Sequence, residues 1–160
     1  MVGAYRDDGL ETEVARQAPA FARVVVADES GAEAKADLGV DHRGFPPVQL
    51  DIGPVLSEPD AVGSKVGAMY SRLEPRDLID VQAVLDSGRY DTDALLALAD
   101  RREATPLDRQ MFAGQLLAGS RLPNAGFERY GASPELIARV RATAIEWAEL
   151  LNQPSARVDS

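Results

Sequence analysis

The hydrophobic pattern of this chain changes period once, near residue 58, and that change limits the fold more than any other feature. Before it, short apolar runs rich in β-branched residues are separated by turn signals; after it, apolar residues recur at helical spacing. Strands are predicted at 11–17, 21–28 and 33–40. The second of these, Phe21-Ala-Arg-Val-Val-Val-Ala27, is bounded by Pro19 and an Asp28-Glu-Ser-Gly-Ala32 turn. Helices are predicted at about 60–72, 76–86, 92–102, 106–118 and 134–151, with Asp91-Thr-Asp93, Thr105-Pro106 and Ser133-Pro134 as start signals. Strands first and helices later describe an α+β arrangement: an antiparallel or mixed sheet in residues 1–58, a C-terminal helical bundle in 59–153, and a frayed tail at 154–160.

Size and charge narrow the function classes. A chain of 160 residues buries roughly 70% of its unfolded surface, enough for one real core. It has no run of about 18 apolar residues, and its acidic N-terminus has no hydrophobic signal region, so neither a membrane span nor secretion is expected and a cytoplasmic location is. The absence of cysteine excludes disulfides and thiolate metal sites, and one histidine, His42, cannot make a His-rich one; His42 reads as a loop residue. The abundance of Ala, Arg and Asp against scarce Lys suggests a GC-rich bacterial genome. A net charge of −9 opposes nucleic-acid binding, which normally needs a basic footprint. Yet acids cluster at Asp7, Asp8, Glu11, Glu13, Asp28, Glu29 and Glu33, while Arg101, Arg102, Arg109, Arg121, Arg129, Arg139 and Arg141 gather in the later helices. Trp147 and Ile145 read as core or helix-interface residues rather than a base-stacking platform.

Lysine usage singles out one position. Lys35 and Lys65 are the only lysines, against fifteen arginines, and a compact ammonium is what suits a phosphate when a point charge is wanted rather than a planar fork. Helical spacing puts Lys65, Met69 and Arg72 on one stripe, with Ser64 beside Lys65 as a possible phosphate donor. Leu73-Glu74-Pro75 ends that helix and starts another, in which Leu78, Val81 and Leu85 form the core stripe, Asp77 and Asp80 lie one turn apart, and Asp80 borders the apolar face. Two helices with a short joint can bring Lys65 and Asp80 into one cleft; an Arg76–Asp80 surface pair is the plainer use of that aspartate.

The segment Asp60-Ala-Val-Gly-Ser-Lys-Val-Gly-Ala-Met-Tyr-Ser-Arg72, followed by Arg76-Asp-Leu-Ile-Asp-Val81, resembles the C-terminal half of the AbiEii-type nucleotidyltransferase toxins of bacterial toxin–antitoxin and phage-defence pairs. The likeness extends from about residue 3 to residue 151. It implies a nucleotidyltransferase-like fold in which Lys65 and Asp80 are catalytic, with Lys65, Ser64, Arg72 and Asp77 around the nucleotide. The superfamily also has a Gly-Ser loop followed by Asp-x-Asp, which this chain lacks, and Met1–Gly9 reads as the end of a helix whose earlier half belongs to a longer polypeptide. A further carboxylate between two apolar residues is expected on a later strand. Ala36-Asp37-Leu38 fits better than Leu50-Asp51-Ile52, which follows Pro46-Pro47 in what reads as an irregular crossover, so Asp37 is the implied catalytic metal ligand. The activity so implied is transfer of a nucleoside monophosphate from an NTP to an RNA acceptor such as a tRNA 3′ end, with Mg2+ as cofactor and a cognate antitoxin as protein partner. Two alternatives stand beside it: a catalytically incomplete interaction protein that keeps the antitoxin-facing surface, and an unrelated α+β interaction domain.

Overall fold

A computed structural model describes residues 2–40, 42–102 and 105–153. The chain is α+β, and its contacts divide it into two units, residues 1–42 and 43–160.

The first unit is a short helix followed by a three-stranded antiparallel meander. α1 (Val2–Asp7) ends at Gly9, whose φ of 79° suits glycine, and the Leu10 N–H donates to the Tyr5 carbonyl at 3.0 Å. β1 (Glu11–Ala18), β2 (Phe21–Ala27) and β3 (Glu33–Gly39) pair in sequence order. Register runs from Glu11↔Ala27 to Ala18↔Phe21, with a bulge between Val14 and Arg16, and from Phe21↔Gly39 to Ala27↔Glu33. The β2–β3 turn closes because Asp28 Oδ1 accepts from the Ser30 and Ala32 N–H groups at 2.8 and 3.0 Å. Strand alternation puts Ala22, Val24, Ala36 and Leu38 on one face, all at least partly buried, and Arg23 and Asp37 on the exposed other. Val24, 1% exposed, is the one fully buried apolar side chain among the described residues of this unit.

The second unit opens with a two-stranded ribbon, β4 (Val48–Leu50) and β5 (Gly53–Val55). The expected crossover at residues 46–52 is therefore a hairpin, and Asp51 sits exposed at its tip. Six helices follow among the described residues: α2 (Glu58–Ser71), α3 (Pro75–Asp86), α4 (Thr92–Arg102), α5 (Arg109–Gly119), α6 (Asn124–Glu128) and α7 (Pro134–Asn152). Side-chain oxygens set several starts. Ser57, Asp108 and Ser133 each accept the N–H three residues on, at 3.3, 2.9 and 3.3 Å. Asp108 as N-cap moves the start of α5 past Thr105-Pro106, because Leu107 is buried and its N–H is tied to Asp100 Oδ1 at 2.9 Å. α2 packs on α4 and α3, α5 on α7, and α3 on α6 and α7. Met69, Val66, Leu78, Leu95, Phe112, Leu116, Phe127, Ile137 and Trp147 meet in one core, with Tyr70 edge-on to Phe112 at 5.5 Å between ring centres. Each such side chain contributes roughly 1.5–3 kcal/mol by leaving water. α2 and α4 approach closely at Gly63, where a Cβ would lie 2.9 Å from the Leu98 carbonyl oxygen.

Candidate functional site

The joint between α2 and α3 builds the site. Arg72 ends α2, Leu73 takes a left-handed backbone with φ of 48°, and Glu74 caps α3 with Pro75 in its first turn. A left-handed leucine costs on the order of 1–2 kcal/mol and persists only where its surroundings hold it. They do so here. The Leu73 side chain lies so close over Gly119 that a Cβ there would overlap it, and Pro75 Cγ lies 3.1 Å from where a Cβ on Gly126 would stand.

Across this joint Lys65 Nζ on α2 meets Asp80 Oδ2 on α3 at 2.6 Å. The same carboxylate oxygen lies 3.8 Å from Arg76 Nε, so the pair expected from helical spacing is present, but as the longer of two contacts. Both side chains of the closer pair stay in reach of solvent, at 39% exposed for Lys65 and 31% for Asp80. Ala61, Val62 and Val84 join them around a shallow, mostly apolar cleft of about 260 Å3. Ser64 is not among the cleft residues.

Arg72 and Asp77 take a different arrangement. The Arg72 guanidinium donates twice to Asp77, Nε to Oδ2 at 3.0 Å and Nη2 to Oδ1 at 2.9 Å, and the Glu74 N–H adds a third bond at 3.3 Å. Asp77 is 1% exposed. The Arg72 bonds, working against burial and helped by the Glu74 N–H and the charges of Arg72 and Lys65, hold its carboxyl below the usual carboxylate range. These two residues bind each other, not the cleft.

Asp37 belongs to the other unit. Its cross-strand partner is Arg23, which donates to both carboxylate oxygens at 2.6 and 2.7 Å, and this bond lowers the Asp37 pKa. Among the described residues no three His, Asp or Glu side chains group as metal ligands, so these residues do not by themselves make the two-ion site that the resemblance implies. Several of the arginines that gather in the later helices are committed internally. Arg109 pairs with Asp100, Arg139 with Asp86, and Arg141 with the Leu122 carbonyl and Asn124 Oδ1.

Sequence reasoning missed a second buried carboxylate, Asp60, five residues before Lys65. Its oxygens accept from the Gly44 N–H (2.9 Å), the Phe45 N–H (3.1 Å) and Ser57 Oγ (2.9 Å), with Arg102 Nη1 at 3.5 Å. Burial pushes this carboxyl up, and the donors together outweigh it, so the net shift is downward. Arg101 stacks over the Phe45 ring at 4.7 Å, tying the same segment to α4. The Ser57-x-x-Asp60 spacing before an apolar run was the readable signal.

Comparison with protein-family models, curated proteins and solved structures finds no match to this chain.

Proposed function

We propose that the chain is a nucleotidyltransferase toxin of the AbiEii type, with a nucleotidyltransferase-like fold, and that Lys65 and Asp80 are its nucleotide-contacting pair. One observation carries the reading. The two residues singled out by the resemblance, fifteen positions apart and on different helices, meet at 2.6 Å beside an apolar cleft. In the proposed reaction an RNA 3′ oxygen attacks the α-phosphorus of an NTP, a new P–O bond forms, and the bond to pyrophosphate breaks. Charge accumulates on phosphate oxygens during such a step, and a fixed ammonium at Lys65 meets it. Asp80 orients that ammonium, and Arg76 offers a second cation at the same rim. Mg2+ would supply charge neutralisation; its ligands would have to include groups beyond the carboxylates grouped here.

Asp37 enters this reading only by giving up Arg23. That commitment favours a second reading, a binding protein that keeps the antitoxin-facing surface without catalysis. Purified chain incubated with α-labelled NTPs, Mg2+ and total tRNA separates the two. Label on RNA that disappears in Lys65→Ala supports the transferase. NTP binding that depends on Lys65, without transfer, supports the binding protein. A chain that neither binds nor transfers nucleotide refutes the transferase and the nucleotide contact assigned to Lys65.

A further inference from the structure

We infer that Arg72 and Asp77 are positioning residues: their two-bond fork locks the α2–α3 joint and thereby holds Lys65 against Asp80. The pair Lys65–Asp80 spans two helices, so its distance is set wherever their relative orientation is set. Only Arg72, Leu73 and Glu74 connect α2 to α3. Each of the three is pinned. Arg72 donates twice to Asp77, the Glu74 N–H donates to the same carboxylate, and Leu73 holds its left-handed conformation over Gly119. Asp77 is buried at 1% exposure, so a fork that opened would leave its carboxylate without water to take the place of Arg72.

Leverage makes the lock matter. Lys65 lies seven residues before Arg72, about 10 Å along the helix axis, so a rotation of about 10° at the joint moves its backbone by roughly 2 Å. That displacement is enough to break a hydrogen bond, whose useful range is only about half an ångström wide. The fork itself faces away from the role expected from the resemblance: it makes no hydrogen bond to a cleft residue, and besides the charge that Asp77 and Lys65 feel from each other it acts on the site through the helix it anchors.

The consequence for nucleotide contact rests on the function proposed above; the consequence for the Lys65–Asp80 bond does not. Lysine scarcity supplies the readout. A 15N-edited spectrum of side-chain ammonium groups contains signals from Lys65 and Lys35 alone, and Lys35 is exposed on β3 as an internal reference. In the wild-type chain the hydrogen-bonded Lys65 ammonium gives a protected signal, and Asp80→Asn calibrates its loss. Asp77→Asn is expected to lose that signal to the Asp80→Asn level while Lys35 is unchanged and the far-ultraviolet spectrum stays helical. Arg72→Gln covers the case in which Asp77→Asn does not fold. Arg72 is 58% exposed, and glutamine removes the two-bond fork without adding an ammonium signal. A folded Arg72→Gln or Asp77→Asn chain that retains the wild-type Lys65 signal overturns the proposal, as does a wild-type chain with no protected Lys65 signal. Titrating ATP into the same samples separates the two levels. Loss of the signal with unchanged ATP binding keeps the positioning role and removes Lys65 from the nucleotide site.

Discussion

The sheet of residues 11–39 and the helices of residues 58–152 hold themselves together by different means, and their carboxylates show it. In the sheet, ladder hydrogen bonds and cross-strand pairs dominate, Val24 alone is fully buried among the described residues, and Asp37 is 49% exposed beside Arg23. In the helices, a contiguous apolar core surrounds Asp60 and Asp77, each 1% exposed and bonded on several sides. Asp80, at 31%, is neither bathed in solvent nor sealed. A carboxylate at the surface of a ribbon is screened and contributes little, one sealed in a core is structural, and one in between can exchange its partner for a ligand. That gradient, more than the residue type, separates the candidate site from the scaffold.

The largest effect that sharpens this contrast is expected from Phe112→Ala. Phe112 is fully buried, and its loss should lower unfolding free energy by about 3–5 kcal/mol, whereas Val24→Ala in the sheet should cost only about 1.5 kcal/mol, the value of two methylene equivalents. Urea unfolding followed by the signal of the single Trp147 and by far-ultraviolet dichroism measures both; equal costs would erase the contrast.

Gly63→Ala comes next. Alanine is the better helix former, yet its Cβ would lie 2.9 Å from a backbone oxygen of α4, so overpacking of about 1–3 kcal/mol should outweigh the gain of roughly 1 kcal/mol in propensity. A stabilised variant would show that α2 and α4 pack less closely than described.

Acid should act on the helices through Asp60 and Asp77. Both carboxyls titrate lower in the folded chain than their ordinary value, near 4, so their contribution is present above that value and is lost as pH falls through the folded one. Unfolding free energy should therefore fall between pH 5 and acid, and Asp60→Asn should flatten that dependence while lowering stability at neutral pH. An unchanged pH slope in Asp60→Asn would break the assignment. The smallest effect is expected from Asp37→Asn. It removes an exposed pair and should leave the urea midpoint of the helices where it is.

Much of this was legible in the residues. The β-branched run of β2 and the alternation around it placed the meander, and helical spacing put Lys65 and Asp80 where two helices with a short joint can bring them together. The Ser133-Pro134 start of α7 is as read, because a hydroxyl cap and a first-turn proline act locally. What escaped is non-local or short. α6 has five residues, too few for a period to register, and the β4–β5 ribbon hides behind Pro46-Pro47 and Pro54, which ordinarily argue against strands. The burial of Asp77 was not readable either. Its partner Arg72 reaches it across a left-handed break that helical spacing does not describe. Asp60 draws its donors from Gly44 and Phe45 upstream and Arg102 far downstream, and no local pattern announces them.

The neighbour-only order of the meander bears on how the chain becomes native. β1 and β2 are joined by two residues and β2 and β3 by five, so each hairpin closes a short loop, an event of about 1–10 μs. The helices behave otherwise: α2 reaches past α3 to α4, and α5 reaches past α6 to α7. During synthesis the strands therefore pair early, while Phe112 and Leu116 wait for Ile137, Val140 and Trp147 of the later α7 to cover them. Until then the nascent chain carries a finished ribbon and an open apolar face, and that interval is when a chaperone or a premature neighbour finds it most receptive.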